Sequence, residues 1–177
     1  MLDLIHGWDR RGGAENIGAA QWNLYYNFML SVLSENKVKI EDAIAQEYHE
    51  QALERTQDHL IKNFGRLDIS LGDIQRHVRG EKNFPASGLI DMIAPTYSVP
   101  TDGGRLRAVS GESYIMLIRY TKDGPEVETV IPYGNSSDPE SPHYTDQMLM
   151  YLDKKLKAMS LDREEVMADA VRVYNPI

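Results

Sequence analysis

The sequence predicts an α+β fold with a helical first half, then antiparallel strands and a C-terminal helix. Three observations carry this prediction. Apolar residues recur at three- and four-residue steps through the first 65 positions, the period of one helix face. Between residues 113 and 133 the pattern becomes a continuous apolar run followed by an alternating one, as strands require. Glycine, proline and aspartate cluster between the periodic stretches and mark turns.

Taken in order, Trp22, Tyr26, Met29, Leu30 and Leu33 share one face of a helix expected from about residue 15 to 34. No Asp, Glu, Lys or Arg occurs between Glu15 and Glu35. The polar groups of Asn16, Gln21, Asn23, Asn27, Ser31 and Ser34 interrupt that run, so it reads as a buried helix and not as a membrane span. A second helix is expected with Glu41 and Asp42 in its first turn and Ile40, Ile44, Tyr48 and Ala52 as its stripe. Lys62 sits in its last turn and Gly65 is its stop. Ser70 and Asp73 make a capping pattern that opens a short helix ending at Gly80.

Residues 81–104 carry three prolines and the pair Gly103 and Gly104, which predicts loops with one strand around Tyr97. Residues 113–121 are expected as a strand covered on both faces and 126–133 as its antiparallel partner. The turn lies at Lys122-Asp123-Gly124-Pro125. Leu106 to Val109 adds a further strand. Ser141 and Pro142 predict a helix start with Tyr144, Met148, Tyr151, Leu152 and Leu156 on one face. Asp162 and Glu165 cap a short helix, and Val171 to Tyr174 reads as a terminal strand. A single domain over 1–177 is expected, helical over 1–80 and mixed strand and helix over 81–177.

Composition narrows the function. The 177 residues contain 19 Lys plus Arg against 27 Asp plus Glu, a net charge of −8, which opposes binding to nucleic acid or anionic lipid. With no cysteine, disulfides, thiolate metal sites and cysteine nucleophiles are excluded. The N-terminal stretch does not have the pattern of a signal peptide.

Ser136, Ser137, His143 and Asp146 fall within eleven residues and suggest a hydrolytic triad. Such triads are normally assembled from separate elements, and these residues are better explained as loop bonds and a helix-start acid. His49 and His59 with Glu47 and Glu50 lack the four-residue histidine spacing of a helical metal site. His6 and His77 are isolated. The cluster of Trp22, Tyr25, Tyr26 and Phe28 reads as core packing, and Asp102-Gly103-Gly104-Arg105 matches no phosphate-loop pattern.

The stretch Val130-Ile131-Pro132-Tyr133-Gly134-Asn135-Ser136-Ser137, followed by Ser141-Pro142-His143-Tyr144-Thr145-Asp146-Gln147, resembles the C-terminal signature of the penicillin acylase family. Upstream, Gly111-Glu112-Ser113-Tyr114, Gly65-Arg66-Leu67-Asp68, Gly72-Asp73-Ile74-Gln75-Arg76 and Gly7-Trp8-Asp9 are similar to successive family segments in the same order. The resemblance implies an N-terminal-nucleophile hydrolase of N-acyl amides such as penicillins, acyl homoserine lactones or lipopeptides, exported and cut into two subunits. It implies that this chain is the C-terminal part of the large subunit and contributes to a four-layer αββα sandwich.

In that family the nucleophile is a serine at the start of the large subunit, whose own α-amino group is the base. Here Leu2 follows Met1 and no Gly-Ser pair occurs, so no catalytic residue is expected in this chain. Gly134, Asn135, Ser136, His143, Tyr144, Asp146 and Gln147 are expected to have a structural role. No cofactor is expected, since the family's calcium ligands belong to other segments. The expected partner is the remainder of the acylase, its upstream large-subunit portion and small subunit, or a second copy, with no nucleic acid and no membrane span. The alternative is a non-catalytic binding or assembly module that keeps part of the scaffold.

Overall fold

A computed structural model describes residues 1–42, 45–93 and 95–173. The chain divides into two compact units, Met1–Gly111 and Glu112–Ile177.

In the first unit a short helix α1 (Leu2–His6) precedes α2 (Ile17–Glu35). Asn16 caps α2 by accepting the Ala19 N–H at 3.0 Å, which pairs one of the donors that a helix start leaves free. Met29 and Leu33 of the face expected for α2 are buried, but its first half turns Ala19, Ala20 and Leu24 to the core in place of Trp22 and Tyr26. The small side chains at 18–20 permit close approach. Trp22 is left 38% exposed.

Helix α3 (Gln46–Phe64) ends as expected at Gly65, whose φ of +71° suits glycine. It starts later than expected, because Ile40–Asp42 forms a separate 3-10 turn with Ile40 exposed. Ile44 lies outside the described residues. Ala52, Thr56 and Leu60 are the buried positions of α3, and Ala52 packs with Met29 and Leu33 of α2.

Ser70 caps α4 (Leu71–Ile74), but the chain then leaves the helical path, correcting the helix expected to Gly80. Gln75–Arg79 is strand β1 and pairs antiparallel with β2 (Lys82–Pro85). Gly80 at φ +57° makes the turn. The cause is tertiary: the fully buried Gln75 side chain donates to the Gly88 carbonyl at 2.8 Å and accepts the Ser98 hydroxyl at 2.9 Å. Buried amides must be paired, and this pairing needs an extended backbone. Strands β3 (Thr96–Pro100) and β4 (Leu106–Gly111) complete a sheet ordered β2-β1-β4-β3, with β1 and β4 parallel. The expected strands around Tyr97 and from Leu106 are therefore present. The core is formed by Leu24, Leu60, Leu71, Ile74 and Leu106 with the small Ala19 and Ala20.

The second unit is built on the expected hairpin, β5 (Ile115–Thr121) and β6 (Gly124–Val130), joined at Lys122-Asp123. The Thr121 hydroxyl donates to the Gly124 carbonyl at 2.8 Å and accepts the Asp123 N–H at 3.2 Å. A two-residue strand β7 (Lys157–Ala158) pairs with β6. Strand β5 is not covered on both faces as expected: Leu117 is 55% and Tyr120 82% exposed. Among the described residues of this unit, only Val127, Thr129 and Val130 of β6, with Met148 and Tyr151 of α5 (Met148–Leu152), are buried. Asp162 caps α6 (Arg163–Ala168) through the Glu164 and Glu165 N–H groups. Residues 171–173 form no strand, and Tyr174 lies outside the described residues.

Candidate functional site

The signature residues converge in one loop, though not as the start of the helix expected at Ser141. Residues 141–147 are turns, and helix begins only at Met148. Their backbone donors are used elsewhere. The His143 N–H goes to the Ser141 hydroxyl at 3.2 Å and the Gln147 N–H to the Tyr133 carbonyl at 2.8 Å. Such local bonds compete with helix formation. The Tyr144 N–H closes a turn on the Ser141 carbonyl at 3.0 Å.

Two further bonds tie this segment to the end of β6. The Gln147 Oε1 accepts the Ile131 N–H at 3.2 Å, and the Ser136 N–H donates to the His143 carbonyl at 3.2 Å. Gly134 allows this close approach, because a Cβ there would lie 2.2 Å from the His143 carbonyl oxygen and 2.6 Å from Asp146 Oδ1. Asn135 sits exposed in the same loop.

His143 Nδ1 and Asp146 Oδ2 are 2.9 Å apart, with the His143 side chain 68% exposed. The Ser136 hydroxyl accepts the Asp138 N–H at 3.1 Å, an ordinary serine turn. An imidazole bathed in water gains little from its acid. What this geometry does is fix how the end of β6 meets the segment leading into α5.

His49 and His59 also have structural settings. His49 Nδ1 lies 2.5 Å from the Tyr25 hydroxyl, whose pKa burial raises. His59 Nε2 lies 2.8 Å from the Gly104 carbonyl. Among the described residues no three of His, Asp and Glu gather where they would hold a metal ion.

The first unit contains a cleft of about 840 Å³ that sequence reasoning missed. Trp8, Trp22 and Tyr26 form its aromatic wall, Ile5 and the loop residues Leu89, Ile90 and Met92 add apolar surface, and Asn23, His6, Arg10 and Asp91 are its polar groups. The Trp8 and Trp22 ring centroids are 6.2 Å apart and tilted by 30°. Trp22 and Tyr26 were visible as one helix line, but nothing periodic links them to Trp8 or to residues 89–92.

A family model described as penicillin amidase matches residues 1–168. The acyl-homoserine lactone acylase PvdQ of Pseudomonas putida is 34% identical over 98 residues, 55% of this chain and 13% of that protein. Aculeacin-A acylase of Actinoplanes utahensis is 32% identical over 111 residues, 59% of this chain and 14% of that protein. PvdQ of Pseudomonas syringae pv. tomato is 24% identical over 187 residues, 96% of this chain and 24% of that protein. Among solved structures, a thermostable penicillin G acylase from Alcaligenes faecalis aligns at 16% identity and a TM-score of 0.36, over 92% of this chain and 29% of that one. The chain thus spans about a quarter or less of the length of these curated relatives.

Proposed function

The chain belongs to the penicillin amidase family, and from that premise we propose that it is the C-terminal framework of an acylase that hydrolyses an N-acyl amide bond. The observation that carries this reading is the loop in which Gly134, Ser136, His143 and Gln147 lace the end of β6 to the segment before α5. The reading gives that loop a positioning role and no bond-making step. Its partner is the remainder of the acylase, including the serine whose hydroxyl and α-amino group act together. The names of the relatives favour acyl homoserine lactones or acylated peptides as substrates. The family resemblance supports an exported enzyme, and no helix among the described residues is long and apolar enough to cross a membrane.

The test is release of fatty acid from an N-acyl homoserine lactone. The purified chain alone is expected to show no turnover, and turnover is expected when it is combined with the remaining portion of an acylase. Turnover by the chain alone, lost in Ser136→Ala or His143→Ala, overturns the reading and restores a local triad.

The exposed apolar surface of β5 favours a second reading, a stand-alone assembly module. In that case the chain self-associates in light scattering and Leu117→Glu makes it monomeric. A wild-type monomer argues against this second reading.

A further inference from the structure

We propose that the aromatic cleft of the first unit binds a small dipolar ion with a bulky apolar body, of the aryl-alkyl α-amino acid class. The ring lies against Trp8 and Trp22, the carboxylate faces Arg10 and the ammonium faces Asp91. The cleft has the size and make-up of a small-molecule site, mostly apolar and aromatic with a few polar groups. It is also held in shape. Asn23, in its floor, donates to Gln75 Oε1 at 3.3 Å and accepts from Asn27 at 3.2 Å, and Gln75 is itself bonded to Gly88 and Ser98. A site whose buried polar groups are already paired needs no rearrangement to accept a ligand.

The charge class follows from Arg10 and Asp91. Both line the cleft, and neither forms an ion pair with the other or with any other described residue. The acid next to Arg10 in sequence is engaged, because Asp9 accepts the Arg11 N–H at 2.9 Å and the Asn16 amide at 3.0 Å. Arg10 is also held at φ +64°, a conformation that side-chain-bearing residues rarely adopt and that collects at ligand sites. A simple anion is opposed by the net charge of −8, and a simple cation by Arg10. A ligand carrying both signs and no net charge satisfies both side chains.

The chain's two tryptophans both lie on the cleft, so their emission reports occupancy directly. The 177-residue chain is titrated with 2-amino-4-phenylbutanoic acid, with 4-phenylbutanoic acid and with 4-phenylbutylamine. A saturable emission change is expected, with the amino acid binding roughly 2- to 5-fold more tightly than either singly charged analogue, the range for one solvent-exposed ion pair. Arg10→Gln is expected to abolish the preference over the amine, and Asp91→Asn the preference over the acid, with circular dichroism unchanged. Equal binding of all three compounds by the wild-type chain, or no saturable change with any of them, overturns the proposal, and the wild-type ranking decides this without any variant.

Discussion

Leu60 in the first unit and Leu117 in the second are the same residue in regular structure, yet one is 0% exposed and the other 55%. The first unit packs α2 and α3 and a four-stranded sheet around its leucines. The second offers a hairpin, a two-residue strand and two short helices, and most of β5 stays exposed. An apolar strand forms wherever pairing and turn chemistry allow it, but the burial that stabilises it depends on partner surface from elsewhere.

The largest expected effect separates the two units. Leu60→Ala or Leu71→Ala, both fully buried, should lower stability by about 2–5 kcal/mol, whereas Leu117→Ala should change it by no more than about 0.5 kcal/mol. Urea unfolding midpoints of the three variants check this, and a large effect at Leu117 would mean that β5 is covered in solution.

Next in size, Gly134→Ala tests whether the second unit has a tightly fitted region of its own. With the His143 carbonyl oxygen 2.2 Å from the new methyl carbon, the loop must shift at a cost of about 1–3 kcal/mol. Hydrogen exchange at the Ser136 and Gln147 amides should accelerate, while amides of α3 keep their protection.

The capping residues should lie lower. Asn16→Ala and Ser70→Ala each remove the acceptor for a helix-start N–H and should cost about 1 kcal/mol. Thermal melts followed by circular dichroism test both.

The smallest effect concerns the exposed Glu35–Arg55 pair, which joins α2 to α3 through two nitrogen–oxygen contacts at 2.8 and 2.7 Å. The Arg55 hydrogen bond, with help from Ser31, holds the Glu35 carboxyl at a pKa of about 2, below its ordinary 4.5. A carboxylate with a lowered folded-state pKa stabilises above its unfolded value, and that contribution is lost as pH falls from about 4.5 to 2. Glu35→Gln should lower neutral-pH stability slightly, by the little that a solvent-exposed pair contributes, and in urea unfolding across pH the difference from the wild type should vanish as pH falls to about 2.

Features governed by neighbours within a few residues were legible. Ser70 and Asp162 cap where their spacing predicted, Gly65 ends α3, and Lys122-Asp123 turns the hairpin. The misread segments are those whose backbone or side chains are claimed from a distance. Gln75 is drawn into strand by Gly88 and Ser98, and Gln147 is held by Ile131 and Tyr133, so its helix starts late. The signature residues lie together in one loop, but their bonding was not visible in a linear pattern, and the cleft gathers side chains as far apart as Ile5 and Met92.

By itself the sequence determined the α+β class, most helix and strand positions, the absence of thiol chemistry and the family resemblance, because each rests on local periodicity, composition or residue order. Only the tertiary structure decided which face of α2 is buried, that Gly134 must lack a side chain, and that Trp8, Trp22, Arg10 and Asp91 share one cleft. The physical reason is that burial and close approach belong to pairs of surfaces, and the second surface is named nowhere in the local pattern of the first.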